Sequence, residues 1–334
     1  MTITTVSHYS MVLAAAAMLT AAAAAQEKTT LANPRPGQPG HRDHVEWQGA
    51  YPTPESIRKF KFIGSIPMPE GFIGNLAYDA ASRRLWLVSL GPPTNTKGPS
   101  TVYEVDPTNG KVLAQATLPF KGDFGEPVYY DGYLYQGIFH ESKIYKIVAG
   151  DRANLGKIDK VIPLPTLIDL KLGDESHSYP FIEFGGLTLT PDNNLMFHAD
   201  DVGELITVER ETGKLQARAR TLKALGGIAS STGPNGEFLV LGNSDPRGGY
   251  CALSYPPSLS RSPEQKDISW ALLDGKTGDV LASIRTQNSR AYAATVKIEK
   301  REDVPGSPYG KFTFLATGED GIIELEWIPV KEGR

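Results

Sequence analysis

The chain of 334 residues carries 34 Lys and Arg against 38 Asp and Glu, a formal net charge of -4. That balance argues against a nucleic acid or an anionic membrane as partner, since both select a basic surface. With 40% hydrophobic and 22% charged residues it is neither a disordered chain nor a membrane-embedded one, and a single cysteine, Cys251, excludes an internal disulfide, a Cys-x-x-Cys redox pair and a cysteine-rich zinc site.

Met11 to Ala25 is a run of apolar and small residues, shorter than the roughly 20 that a membrane span needs. It ends in alanines followed by Gln26, Glu27 and Lys28, which suits signal-peptidase cleavage after Ala25, with only His8 and the α-amine as the positive n-region. Residues 1–25 are therefore predicted to be an export signal, and the mature protein to be periplasmic or secreted, with no membrane attachment once the signal is cut. No cysteine stands at the cleavage point to carry a lipid. Residues 26–57 hold Pro, Gly and charge without periodicity and read as a flexible lead.

From about Lys61 the sequence shows short β-type runs broken by turns, with no helix-period segment. One unit recurs: Gly with an apolar residue, an alternating strand, a polar turn, a second strand, then a third strand ending in an acidic residue and a Thr-Gly-type turn. The copies open at Phe72 (FIGNLAYDAASRRLWLV, then TVYEVDPTNGKVL), Phe124 (FGEPVYYDGYLYQG, then KIYKI), Phe184 (FGGLTLTPDNNLMFHAD, then ELITVERETGKLQA) and Leu225 (LGGIASSTGPNGEFLVLGN, then WALLDGKTGDVLASI). A fifth runs AYAATVKIEK from Ala291, FTFLAT from Phe312 and GIIELEWIPV from Gly321. Each is a small antiparallel sheet that cannot bury both faces alone, and a radial arrangement covers the faces and protects the edges. Residues 58–334 are thus predicted to be one all-β domain, a β-propeller of five blades. Lys61 to Ile66 supplies the missing outer strand of the fifth and closes the ring. Six blades would need one more within 155–180, a stretch that reads as one outer strand and a loop.

In this architecture the inner-strand openings line the ligand mouth, which singles out Phe72, Asn75, Phe124, Glu126, Phe184, and Asn243 with Asp245. Glu126, in Phe124-Gly125-Glu126-Pro127, would lose contact with water, which moves a carboxyl toward the pKa range useful for acid–base work. The alternative is a channel-lining Glu bonded to backbone N–H groups of a neighbouring blade. His198, Asp200 and Asp201 offer metal-ligand chemistry, against the commoner use of an Asp pair to bond turn amides. Cys251 sits among Gly248, Gly249 and Tyr250 with no nearby His and reads as a bland thiol. No GxSxG elbow, P-loop or GxGxxG is present.

The first two blades resemble the plant and bacterial type of glutaminyl-peptide cyclotransferase. That family opens its first blade with Phe-Thr-Gln-Gly-Leu and its second with Phe-Gly-Glu-Gly, followed by Leu-Tyr-Gln-x-x-Trp. This chain has Phe72-Ile73-Gly74-Asn75-Leu76, Phe124-Gly125-Glu126-Pro127 and Leu134-Tyr135-Gln136-Gly137-Ile138-Phe139. The resemblance covers roughly residues 60 to 150, and beyond it only the blade rhythm persists. It implies a five-bladed propeller in which the α-amine of an N-terminal glutamine attacks its own carboxamide, forming pyroglutamate and ammonia. It also implies Glu126 as the proton-transfer group, and Phe72, Asn75, Phe124, Phe139 and Phe184, at the blade openings and in the second-blade motif, are the expected substrate-binding positions. The family's first-blade Gln falls on Gly74 and its second-blade Trp on Phe139. Its third-blade Trp falls within Phe184-Gly185-Gly186, its fourth-blade Asn near Gly226 and its fifth-blade Lys on Glu319.

Three readings follow. The first is such a cyclotransferase, needing no cofactor beyond room for a structural divalent cation in the channel, and acting as a monomer on a peptide or small molecule. The second is a metal-dependent lactonase or esterase propeller, with Glu126, Asn75, Asn243 and Asp200 as oxygen ligands. The third is a periplasmic binding propeller without turnover.

Overall fold

The computed structural model describes residues 60–66, 74–89, 99–120, 125–138, 141–166, 169–170, 184–199, 203–222, 225–244, 270–284, 307–318 and 321–329. The chain divides into residues 1–50 and 51–334, and every described residue belongs to the second unit. The expected signal (1–25) and lead (26–57) lie outside the described residues.

Four sheets carry four strands each, every one a meander in chain order. The first comprises β2 (Gly74–Asp79), β3 (Arg84–Ser89), β4 (Thr101–Val105) and β5 (Val112–Thr117). The second comprises β6 (Val128–Tyr130), β7 (Tyr133–Gly137), β8 (Lys143–Val148) and β9 (Ile158–Pro163). In the third are β10 (Phe184–Leu189), β11 (Leu195–Ala199), β12 (Glu204–Val208) and β13 (Leu215–Arg220), and in the fourth β14 (Leu225–Thr232), β15 (Phe238–Ser244), β16 (Trp270–Asp274) and β17 (Val280–Ile284). A fifth sheet holds β18 (Phe312–Gly318), β19 (Gly321–Trp327) and β1 (Phe60–Ile66), with β1 antiparallel on the outer side of β19. The only helical turn among the described residues is a 3-10 turn at Arg152–Asn154. The fold is a β-propeller.

Four blades are therefore complete, against the five expected. The fifth sheet has three strands among the described residues, and Ala291, where its inner strand was expected, lies outside them. The expected closure by the segment at Lys61 to Ile66 is present as β1. No extra blade falls within the described part of 155–180; β9 is an outer strand of the second blade.

Alternation explains how both faces of each sheet are buried. In β3, Leu85 and Leu87 pack with Leu315 and Ile322 of the fifth sheet, while Trp86 and Val88 pack with Leu134 and Ile147 of the second. In β7 the neighbours Leu134 and Tyr135 face opposite cores, one shared with the first blade and one with the third. Met196 with Val240 joins blades three and four, and Trp270 with Phe312 and Phe314 joins four to the fifth sheet. Each sheet thus contributes to two cores, and the core between the fifth sheet and the first closes the ring. Runs such as Leu-Trp-Leu-Val and Leu-Met-Phe-His-Ala read as nearly unbroken apolar segments because neither face meets water.

The turn between third and fourth strands repeats chemically. Gly110, Gly213 and Gly278 take φ of 73, 72 and 78° and donate their N–H to the carbonyls of Asp106, Glu209 and Asp274, each at 2.8 Å. Ahead of each turn the register slips at an equivalent place: Glu104/Val105, Lys146/Ile147, Thr207/Val208 and Leu272/Leu273. The hairpin β6–β7 turns at Asp131 (φ 47°) and Gly132 (φ 86°), the Asp-Gly pair that a two-residue turn with two positive φ values favours.

Candidate functional site

The inner strands start, and the second strands end, at one rim of the ring. From this rim leave the connections 90–100, 118–127, 164–183, 200–203 and 245–269, whereas the opposite rim carries tight turns such as 80–83, 131–132 and 233–237. Long connections on a rigid scaffold are where binding residues concentrate.

Glu126 stands at this rim, two residues ahead of β6, and is 1% exposed. Its carbonyl accepts the N–H of Leu187 in β10 at 3.1 Å, tying the second blade to the third. Its carboxyl lies against Gly186: a β-carbon built there would stand 2.8 Å from Oε2, 2.9 Å from the Ile228 nitrogen and 3.1 Å from the Gly227 α-carbon. Gly186 has φ of 147°, a conformation side chains disfavour. The glycines of β10 and β14 therefore let three blades converge on one carboxyl. Alongside them, Thr188 Oγ1 donates to Ser230 Oγ at 3.0 Å and accepts the Ser230 N–H at 2.9 Å, which fixes β10 against β14.

Gln136, in β7, is fully buried near Glu126. Its Nε2 donates to the Gly125 carbonyl at 2.6 Å and to the Gly137 carbonyl at 3.0 Å. Sequence reasoning quoted this residue within a motif and gave it no role. The available signal was a polar side chain between apolar ones in a strand buried on both faces.

Of the other expected site residues, Asn75 lies in β2, is 3% exposed and pairs with Val88. Phe184 opens β10 opposite Ala199, and only its backbone is described. Phe72, Phe124 and Phe139 lie outside the described residues, as do Asp200, Asp201, Asp245, Cys251 and Glu319. His198 is fully buried, and its Nε2 lies 2.7 Å from the carbonyl oxygen of Leu222, just past the end of β13 of the same blade. Among the described residues no three His, Cys, Asp or Glu side chains gather to hold a metal ion.

The opposite rim carries two charged clusters. Glu104 accepts from Arg84 (Nε 3.0 Å, Nη2 3.0 Å) and Arg152 (Nε 2.8 Å, Nη2 2.8 Å), so two guanidiniums from adjacent blades clamp one carboxylate. Burial pushes the Glu104 carboxyl up, and the hydrogen bonds from Arg152 and Arg84 more than reverse it, leaving it below its usual range. At the next interface the signs are exchanged. Lys146 reaches Glu211 of the third blade at 3.3 Å and Asp159 at 3.4 Å. Burial draws its ammonium down, and these carboxylates raise it beyond its usual value. Tyr135, burial first and Glu211 second, is pushed above the ordinary phenol range. Both clusters bind blades together and stand away from Glu126.

No protein-family model matches this chain, and no curated protein does. Among solved structures it is similar to a glutaminyl cyclase from Myxococcus xanthus, at 11% identity over 81% of this chain and 97% of that one, TM-score 0.49. It is also similar to a streptogramin B lyase, at 15% identity over 78% of this chain and 66% of that one, TM-score 0.39. A third is Sqt1 from Saccharomyces cerevisiae, at 10% identity over 74% of this chain and 56% of that one, TM-score 0.38. Likenesses at this level carry no argument about the reaction, which rests on the site.

Proposed function

We propose that this protein is an exported propeller enzyme of the glutaminyl-peptide cyclotransferase type, with Glu126 as its proton-transfer group. The observation that carries the reading is the position of Glu126, a carboxyl 1% exposed at the long-connection rim, where the second, third and fourth blades converge. The motif residues Phe124 to Pro127 and Leu134 to Phe139 support it.

In the proposed reaction the α-amine nitrogen of an N-terminal glutamine attacks the carbon of its own side-chain amide. A C–N bond forms and the amide oxygen takes on negative charge. The Glu126 carboxylate accepts a proton from the attacking nitrogen and returns it to the departing one; the C–NH2 bond then breaks and ammonia leaves. One carboxyl serves both steps because the two nitrogens share one carbon, and the tethered nucleophile removes the entropic cost of bringing reactants together. Phe72, Asn75, Phe124, Phe139 and Phe184 are proposed to wall the substrate. Residues 1–25 are proposed to direct export.

The departures at Gly74, Phe139 and Gly185-Gly186 favour a second reading, a propeller that binds its ligand without turnover. Purified mature protein incubated with a Gln-initiated peptide separates the two. The enzyme releases ammonia, and Glu126→Gln lowers kcat by about a hundredfold or more, the scale of a positioned acid–base group. Binding without ammonia leaves the second reading, and full activity in Glu126→Gln removes the assigned role.

A further inference from the structure

Glu126 sits on a segment with little ladder to hold it. Strand β6 has only three paired residues, Val128 with Tyr135, Tyr129 with Leu134 and Tyr130 with Tyr133, so Gly125 to Pro127 run past the end of that pairing. Pro127 has no N–H to offer. Two described hydrogen bonds fasten the segment. Leu187 N–H holds the Glu126 carbonyl from the third blade, and Gln136 Nε2 holds the Gly125 carbonyl from the second.

The orientation of the Gln136 amide follows from its partners. Two carbonyl oxygens lie on one side of it, and only the NH2 end can donate to both. That leaves Oε1 pointing the other way, buried and with no hydrogen-bond partner among the described residues. A Met or Leu of similar size at this position would hold neither carbonyl.

We infer that Gln136 is the positioning residue for Glu126: it fixes the Gly125–Glu126 peptide and thereby sets where the carboxyl stands against Gly186. The inference rests on the acid–base reading of Glu126 and adds to it a residue that touches no reacting atom. Gln136 faces the first blade, with Leu134 and Ile138, while the Glu126 carboxyl faces the third. Blade two therefore holds its carboxyl from behind.

The test uses the mature protein with Gln136→Met, which removes donors and acceptor at similar volume, and Gln136→Glu, which keeps the shape and turns the donor end into an acceptor. Crystal structures of each and of the parent locate the Glu126 carboxyl; kcat and KM for ammonia release from a Gln-initiated peptide are measured alongside. Expected are a displaced carboxyl and a kcat lowered by about tenfold or more with KM within about twofold, since a misplacement on the order of 1 Å costs up to about a hundredfold. A purely structural clamp would lower the melting temperature and leave both the carboxyl position and kcat unchanged, and that result overturns the inference. If Gln136→Met does not fold, Gln136→Glu decides by the same criteria. A parent protein without ammonia release counts against the cyclotransferase reading alone, because the carboxyl position still decides the role of Gln136.

Discussion

Gly213 and Gly236 give a comparison that isolates how the blades dock. Both are turn glycines at positive φ, 72° and 84°. A β-carbon on Gly236 meets nothing within 4 Å, whereas one on Gly213 would stand 1.7 Å from the Pro163 carbonyl oxygen at the end of β9. Gly278 repeats the arrangement one blade further on, 2.1 Å from the Arg220 oxygen at the end of β13. Replacement by Ala at Gly236 should therefore cost only the left-handed backbone term, about 1–2 kcal/mol. At Gly213 and Gly278 the same term applies, and the turn must also retreat from the preceding blade, an overpacking cost of about 1–3 kcal/mol more. Thermal unfolding reads the difference, at about 2–4 °C for each kcal/mol in a domain somewhat under this size. The expected order is Gly236→Ala above Gly213→Ala and Gly278→Ala. Equal losses at all three would refute the idea that these glycines exist to let one blade seat on the next.

Three further expectations follow from the charged clusters and the site. Glu104→Gln should destabilise the fold at neutral pH by about 1.5–3 kcal/mol, the scale for hydrogen bonds to a charged group. Because the native carboxyl titrates below its unfolded value, its contribution is present above the unfolded pKa and lost as pH falls through the native one. Parent and variant stabilities measured by urea titration should thus converge in acid, and a constant gap would show the pairing with Arg84 and Arg152 to be inert. Lys146→Glu should weaken the second interface and Glu211→Lys should restore part of the loss; a double-mutant cycle with a coupling near zero would assign these charges no pairing role. Gly186→Ala should lower kcat for ammonia release severalfold while Gly236→Ala leaves it unchanged, because only the former crowds Glu126. Equal kcat values in the two variants would detach Gly186 from the site.

The blade boundaries were legible because the local signals coincide. Alternating runs start at Asn75, Leu187 and Ile228, Asp131-Gly132 marks a hairpin, and the Thr-Gly turns at Thr212-Gly213 and Thr277-Gly278 recur at one place in the unit. Glu126 was legible as a carboxylate next to glycine at an inner-strand start. What stayed hidden depends on register between blades. Nothing near Gly186 in the sequence says that Glu126, sixty positions earlier, would press on it. Nor does Glu104 announce Arg152, which reaches it from the 3-10 turn of the next blade only once the sheets are docked. Gln136 was passed over for a related reason: its partners are main-chain carbonyls, which leave no side-chain pattern to find.

The outermost position of β1 bears on how far the chain can be shortened. A strand that lies along the free flank of β19 acts as a latch, and trimming into or beyond Phe60 would bare the main-chain donors and acceptors of β19 to any passing strand. Truncation past Phe60 is therefore hazardous. A product cut too far would gain a ready surface for chain-to-chain pairing, visible as soluble multimers before any loss of folded structure.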